Sequence, residues 1–540
     1  MRTRLRAGFS AMRSPTGLRR VLNAYGLYAI VEFAIWLAIL IDAYGHGGAR
    51  LVGFVAVIQL VPAIILVPLL ATFADRIARG SALVIAHVCV SLATLLTGIL
   101  LLAAAPFGLV VAAAAVCTTA VALVRPIHFA ALPQLAHRPD ELVSANALSS
   151  VMDGVGLVVG PIFAGLLSQW VGPWLVFACA SLVSCVSALM CTRLNTPTPI
   201  RVDHVEAPPT LRTAAAAFVA VSRNWALLAL VIIVGAKFVV EGGLDVMSVT
   251  YSDAVLHSGG SDAGFIVGAV GLGGLIGAAV GSQTAMRRRL TPLVLAGGLL
   301  TGFAIAAVSL WGGLGAVMTL LAIAGFGATL LMVSSRTLLQ RSTDDGVLAR
   351  VFALQEASSL LGLAIGALIA PLLIVWTSPS DAFLPLGLGM VLLTVGVIGF
   401  VRSLDATATY RPVELALLRR IPFLSPLQPG ELEYVANHST WLEIHAGDTV
   451  VRQGERGTDY YAISSGTYSV TVNGVLKSHQ LEPGQGFGEL ALLNGEIRTA
   501  TITALTEGRL LVIRPQDFLG AFGRTVADLL PADIGDRDFD

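Results

Sequence analysis

Charge is scarce in this chain. Asp, Glu, Lys and Arg together make up 13% of its 540 residues, against about 25% in ordinary globular proteins. Lysine is nearly absent, since Lys237 and Lys477 stand among 34 basic residues that are otherwise arginine. The five cysteines, Cys89, Cys117, Cys179, Cys185 and Cys191, fall inside apolar runs without metal-like spacing, so they read as packing residues. No G-x-x-x-x-G-K-[ST] run, His/Cys metal pattern or nucleophile elbow occurs, which leaves an ATP-driven pump, an enzyme and a catalytic cofactor without support. No helix-turn-helix pattern follows the final strand-like runs. The arginines flank apolar runs, where membrane orientation explains them better than nucleic acid does.

What is abundant is long apolar sequence. Hydrophobic residues reach 55% and mean hydropathy is +0.80, values that describe a polytopic membrane protein. A spanning helix needs roughly 20 apolar residues. Twelve such cores lie near 21–44, 51–74, 80–104, 107–131, 145–169, 172–194, 225–250, 262–285, 291–312, 314–338, 352–376 and 383–402. The arginine-rich start, 1–20, reads as a cytoplasmic tail and not a signal peptide, because the apolar run after it is too long and lacks a small-residue cleavage site. Arg76, Arg79, Arg138, Arg201, Arg212, Arg223, the Arg287–Arg289 triplet, Arg341, Arg350, Arg411, Arg419 and Arg420 fall in alternate loops, and the opposite loops carry only Arg50. By the positive-inside rule, both termini are expected on the cytoplasmic side of the cell membrane.

An internal repeat divides the apolar part. Val31-Glu32, Gly47-Gly48 and Gly53-Phe54 recur as Val240-Glu241, Gly259-Gly260 and Gly264-Phe265. Six spans in each half keep the same topology, so the repeats are parallel. The expected organisation is a tail at 1–20, a first six-helix half at 21–194, a polar linker at 195–224 rich in Pro and charge, and a second half at 225–402. A connector at 403–412, a carboxy-terminal domain at 413–525 and an acidic tail at 526–540 follow.

Several motifs then carry a resemblance. Ala71-Thr72-Phe73-Ala74-Asp75-Arg76-Ile77-Ala78-Arg79-Gly80 resembles the G-x-x-x-D-R-x-G-R-R loop of the major facilitator superfamily, with both glycines and the last arginine replaced and the Asp-Arg core kept. The resemblance implies a conformational latch at Asp75, Arg76 and Arg79. Gly156-Leu157-Val158-Val159-Gly160-Pro161-Ile162-Phe163-Ala164-Gly165 is similar to the fifth-span motif of the twelve-helix exporters, where small residues permit close helix approach. The stretch LPQLAHRPDELVSANALSS resembles the subgroup that includes siderophore and macrolide exporters, with His128 where that subgroup often has Arg.

Beyond residue 413 the apolar period shortens. An amphipathic segment gives way to alternating runs such as YYAISSGTYSVTV and TITAL, with a hairpin signal at Asn473-Gly474 and turn glycines at 447, 454, 457 and 466. The run from Phe487 to Ala500 sets one carboxylate, Glu489, and one guanidinium, Arg498, across a glycine turn. That pairing suits a cyclic phosphodiester: Glu accepts from a ribose hydroxyl, and Arg pairs with phosphate oxygens beside backbone amides. FGELALLNGEIRTATITA resembles the phosphate-binding cassette of cyclic nucleotide-binding domains. The resemblance implies a β-roll flanked by helices, with Phe487, Gly488, Glu489, Leu490, Arg498, Thr499 and Ala500 forming the site. Glu489 would take the ribose and Arg498 the phosphate. Cyclic AMP or cyclic GMP is then the regulatory ligand, with cAMP ahead. The short sequence after Phe518 implies an abbreviated lid over the base.

Charge at mid-bilayer costs about 2.5–3.5 kcal/mol even on lenient scales, so intramembrane ionisable residues are functional by default. Glu32, Lys237, Glu241 and Asp245 qualify, with Arg125, His128, Asp153 and Arg336 nearer the ends of their spans. Lys237, Glu241 and Asp245 share one helical face, which is expected to line the central cavity. Glu32 is the repeat mate of Glu241, which suggests a proton-coupling pair. The alternative is an ion pair between Lys237 and Glu241 that only staples helices.

The expected fold is therefore an all-α polytopic membrane domain with twelve helices in two six-helix repeats, followed by an α+β cyclic-nucleotide-binding β-roll. The expected function is a secondary transporter, a proton-coupled exporter of a small or amphiphilic compound regulated by cyclic nucleotide. Its partners are that solute, protons, the nucleotide and the bilayer. The alternative is a receptor or transceptor of the same fold that moves no solute.

Overall fold

The computed structural model describes residues 16–74, 77–136, 139–192, 194, 224–258, 260–284, 287, 289–343, 345–407, 411–421, 424, 427, 429–456, 459–488 and 497–521. The chain forms two compact units, one ending at Thr407 and the other resuming at Ala408.

Among the described residues, the regular elements of the first unit are all helices. Its helices are α1 (Thr16–Ala74), α2 (Arg79–Leu102), α3 (Phe107–Leu135), α4 (Pro139–Trp170), α5 (Pro173–Cys191), α6 (Trp225–Ala254), α7 (Ser261–Thr284), α8 (Thr291–Ala307), α9 (Leu314–Ser342), α10 (Asp345–Trp376) and α11 (Phe383–Thr407). Eleven stretches among the described residues are long and apolar enough to cross a membrane. The first holds two of the expected spans. α1 runs for 59 residues and is broken at Gly47 and at Gly48, where φ is 63° and ψ is −162°. Only glycine tolerates that backbone, so the pair turns the chain between two membrane crossings. Among the described residues, twelve crossings thus follow from eleven stretches.

Without water to drive helices together, packing depends on small residues that let backbones approach. A Cβ at Gly264 of α7 would collide with the Pro161 carbonyl of α4, and one at Gly325 of α9 with the Val270 carbonyl of α7. α7 is therefore held between α4 and α9 by close backbone contact. Leucine, isoleucine and valine cover the outer faces, as Leu92, Leu182, Leu361 and Leu392 do with more than 60% exposure each.

α11 extends past the residue-402 limit read from hydropathy. Arg402, Ser403 and Asp405 look like an exit into water, but Asp405 is 8% exposed. Its carboxylate accepts from the Leu290 and Thr291 amides at 3.0–3.1 Å and from Thr291 Oγ1 at 2.8 Å, at the start of α8. A carboxylate on the unsatisfied amides of a helix start is favourable in charge and hydrogen bonding, so the polar end stays folded.

The second unit is α+β. Short helices α12 (Pro412–Leu418) and α13 (Pro429–His438) precede β1 (Thr440–Ile444), β2 (Thr449–Val451), β3 (Tyr460–Ser465), β4 (Tyr468–Val472), β5 (Val475–Leu481), β6 (Gly486–Phe487), β7 (Thr501–Ala504) and β8 (Gly508–Ile513), and α14 (Pro515–Ala521) follows. Two four-stranded antiparallel sheets result, ordered β1-β8-β3-β6 and β2-β7-β4-β5. Alternation sends Ile444, Ile463, Tyr468, Phe487, Ile502 and Leu510 into one core. Asn473 (φ 52°) and Gly474 (φ 78°) form the β4–β5 turn, the left-handed pair that matches strand twist. Gly447, Gly454 and Gly466 also take positive φ, as the sequence suggests, while Gly457 lies outside the described residues.

Candidate functional site

In the helical unit, α1, α3 and α4 bring three of the intramembrane charges together. Arg125 Nη2 donates to Glu32 Oε2 at 2.8 Å, and Arg125 Nη1 donates to Asp153 Oδ2 at 3.2 Å. Tyr25 donates through its hydroxyl to the other Asp153 oxygen at 2.8 Å. Behind Tyr25 the His128 ring stacks at 3.8 Å between centroids, and His128 Nε2 lies 2.9 Å from Ser149 Oγ. Ser149 and Asp153 are one turn apart on α4, so the chain of contacts leaves α4, passes through α3 and α1, and returns to α4.

The repeat mate behaves differently. Glu241 pairs with Lys237 on its own helix, α6, and the Lys237 ammonium also sits 3.9 Å from the centre of the Phe238 ring. Asp245, one turn on, accepts from Trp36 Nε1 of α1 at 3.0 Å, which links the two six-helix halves. Arg336 stands over the Phe352 ring at 5.1 Å. Arg79 opens α2; its proposed latch partners Asp75 and Arg76 lie outside the described residues.

The sequence singles out Glu32, Arg125, His128, Asp153 and Asp245 separately and does not reveal Tyr25 on Asp153, Ser149 beside His128 or Trp36 on Asp245. Helical spacing held the signal. Tyr25, Glu32 and Trp36 follow one another at seven and four residues, which keeps them on one face. An apolar cleft of about 640 Å³ lies between α4, α7, α8 and α9, lined by Val158, Ile162, Phe265, Leu272, Ile276 and Phe326 among others, and it contains none of these charges.

In the second unit the cassette begins at β6. Gly488 has φ 104°, and a Cβ there would come within 2.6 Å of Arg498 Nη1 and 2.8 Å of the Asp459 carbonyl, so only glycine fits. Arg498 is 6% exposed and donates to the Gly488 carbonyl at 3.1 Å and the Asp459 carbonyl at 2.6 Å. Its own backbone is tied to the loop before β3, with Arg498 N on Glu455 O at 2.7 Å and Gly454 N on Arg498 O at 2.9 Å. The Tyr461 ring, 5.9 Å from the guanidinium, stacks on Phe487 at 5.1 Å. Burial raises the Tyr461 phenol above its usual range, so it stays a neutral donor. Thr499 is exposed and Ala500 packs on the core. Glu489 and Leu490 lie outside the described residues. Among the described residues no cluster of His, Cys, Asp and Glu could hold a metal ion.

Comparison with known proteins follows the same division. Residues 21–355 match the Major Facilitator Superfamily and residues 441–525 match the cyclic nucleotide-binding domain. Curated relatives align with parts of the chain. A cGMP-dependent protein kinase of Toxoplasma gondii is 34% identical over 124 residues, 22% of this chain and 12% of that protein. A cAMP-dependent protein kinase regulatory subunit of Schizosaccharomyces pombe is 32% identical over 111 residues, 21% of this chain and 27% of that protein. Among solved structures, the regulatory domain of Toxoplasma gondii PKA with cAMP is 26% identical, with a TM-score of 0.20, covering 20% of this chain and 43% of that one. The chain thus spans about a quarter or less of these two curated relatives. The long apolar helices and these matches identify the chain as a multi-pass membrane protein that belongs to the Major Facilitator Superfamily and carries a carboxy-terminal cyclic nucleotide-binding domain.

Proposed function

We propose that this chain is a proton-driven exporter of a small amphiphilic compound in the cell membrane, with both termini cytoplasmic, and that a bound cyclic nucleotide sets its rate. One observation carries the reading: a transporter fold is continuous with a cyclic nucleotide-binding domain whose Arg498 is held against a turn that only Gly488 can make. The arginines in alternate loops support the orientation. Charged residues kept within the spans at Glu32, Arg125, Asp153, Lys237, Glu241 and Asp245 support proton coupling. The apolar cleft beside α7 supports an amphiphilic solute. No residue is assigned a catalytic role.

Similarity to kinases and regulatory subunits named for cAMP and for cGMP supports a cyclic purine nucleotide, with cAMP ahead. Arg498 meets the phosphate and Glu489 the ribose. Calorimetry of the full chain with each nucleotide tests this. A charge-assisted contact is worth about 1.5–3 kcal/mol, so Arg498→Ala is expected to weaken binding about tenfold to a hundredfold. No heat with either nucleotide in the wild type, or an unchanged affinity in the variant, removes the assignment.

Alternating access in this fold rocks one half against the other about a central site, and Trp36 with Asp245 spans that division. The second reading, a receptor that moves no solute, predicts nucleotide binding without proton-dependent flux in liposomes.

A further inference from the structure

The Glu32, Arg125 and Asp153 cluster carries more negative than positive charge: two carboxylates share one guanidinium, leaving one negative charge over. A single proton removes that excess within a span, where uncompensated charge is costly. The two carboxylates are not equivalent. Glu32 holds the shorter arm of Arg125 at 2.8 Å and Asp153 the longer at 3.2 Å. Asp153 alone is steered by the positioning chain that runs from Ser149 through His128 to Tyr25 and back to α4.

We propose that Asp153 is the carboxylate that gains and loses the transported proton, and that Tyr25 is a positioning residue that holds it between Arg125 and its own hydroxyl. The assignment rests on the proton-driven reading above and gives that reading one atom-level site in the first half. When the proton arrives on Asp153 Oδ2, the oxygen becomes a donor and its bond to Arg125 Nη1 is lost. Arg125 is then left paired with Glu32, and the cluster is neutral. When the proton leaves, the Arg125 to Asp153 bond closes again. α4 packs directly on α7 of the second half, so a change of tie between α4 and α3 occurs beside the seam along which the halves meet.

Asp153 is met by Tyr25 from α1 and Arg125 from α3, with Glu32 on the other arm of Arg125; Tyr28 of α1 and His128 of α3 pack on Tyr25. His87 of α2 lies edge-on to the Tyr28 ring at 6.4 Å. On α6, Lys237 and Glu241 cancel one another, and Asp245 is held by Trp36. Tyr25 donates to Asp153 Oδ1, a bond stronger to an ionised carboxylate than to a neutral acid. Removing that donor makes the carboxylate hold its proton more tightly.

Infrared difference spectroscopy of the full chain in liposomes, titrated from about pH 5 to about pH 9, reads the carboxylic C=O band without any substrate. One component of the band is expected to titrate in the wild type, to be absent in Asp153→Asn and to persist in Glu241→Gln. Tyr25→Phe, which keeps the ring stacked on His128, is expected to move its midpoint up by about one pH unit, the size of one hydrogen bond to a charged group. A merely structural Tyr25 leaves the midpoint where it is, which overturns its role. A band that survives Asp153→Asn and is lost in Glu32→Gln overturns the Asp153 assignment and leaves proton coupling standing. A wild type in which no carboxyl band titrates overturns both.

Discussion

At the scale of single residues, the cyclic nucleotide site turns on what Gly488 permits. Its φ of 104° and the 2.6 Å gap to Arg498 Nη1 leave no room for a methyl group. Gly488→Ala is expected to cost about 1–3 kcal/mol in backbone strain and to push Arg498 off the Gly488 and Asp459 carbonyls. Calorimetric unfolding of the carboxy-terminal unit, followed by titration with cAMP, reads both effects, and an unchanged transition with unchanged affinity contradicts this account. Arg498 was legible in the sequence because its spacing from Gly488 and Glu489 is a pattern of residue types. Its carbonyl partners were not legible, since any residue at position 459 supplies the same backbone oxygen. Tyr25 was missed for a related reason: a lone tyrosine in an apolar helix reads as packing until its hydroxyl is seen on Asp153.

At the scale of elements, the segments on either side of residues 408–410 are each fastened to their own unit. In the helical unit, Asp405 binds the end of α11 to the first amides of α8. In the carboxy-terminal unit, Arg411 Nη1 donates to the Ser439 carbonyl at 3.0 Å, and Trp441 Nε1 donates to Glu414 of α12 at 3.1 Å. Arg509 of β8 covers the Trp441 ring at 4.3 Å. Each fastening joins a chain end to the body of its unit. Asp405→Ala removes a buried charge-assisted acceptor and strands the Leu290 and Thr291 amides, which is expected to cost about 1.5–3 kcal/mol. A thermal unfolding midpoint that does not fall in detergent contradicts the fastening. Trp441→Phe keeps the ring and loses the bond to Glu414. It is expected to leave nucleotide affinity within about twofold, because it lies outside the cassette, and to blunt the effect of nucleotide on flux; full retention of that effect places the coupling elsewhere. Hydropathy made the twelve crossings legible, since apolar length is all a span requires. It ended α11 five residues early because the period-blind signal treats a buried capping aspartate as a solvated one.

At the scale of the whole molecule, the two families explain different parts of the sequence. The scarce charge and the parallel repeat belong to the membrane unit, and the alternating runs with positive-φ glycines belong to the roll. The repeat suggests a matched pair in Glu32 and Glu241, and the structure gives the two carboxylates different partners, Arg125 of another helix for Glu32 and Lys237 of its own helix for Glu241. Repeats preserve backbone placement, while partners three helices away in sequence are free to diverge. Coupling between two sites is typically worth about 1–3 kcal/mol, enough to change a rate several-fold without switching it fully.

The central claim, that nucleotide on the carboxy-terminal domain sets the transport rate, is tested most directly by proton-driven flux of ethidium, an amphiphilic cation, in liposomes with and without saturating cAMP on the side bearing the carboxy-terminal domain. The wild type is expected to change rate several-fold and Arg498→Ala to show no change at the same nucleotide concentration. A wild-type rate that is the same with and without nucleotide, while calorimetry on the same preparation shows cAMP bound, contradicts the account.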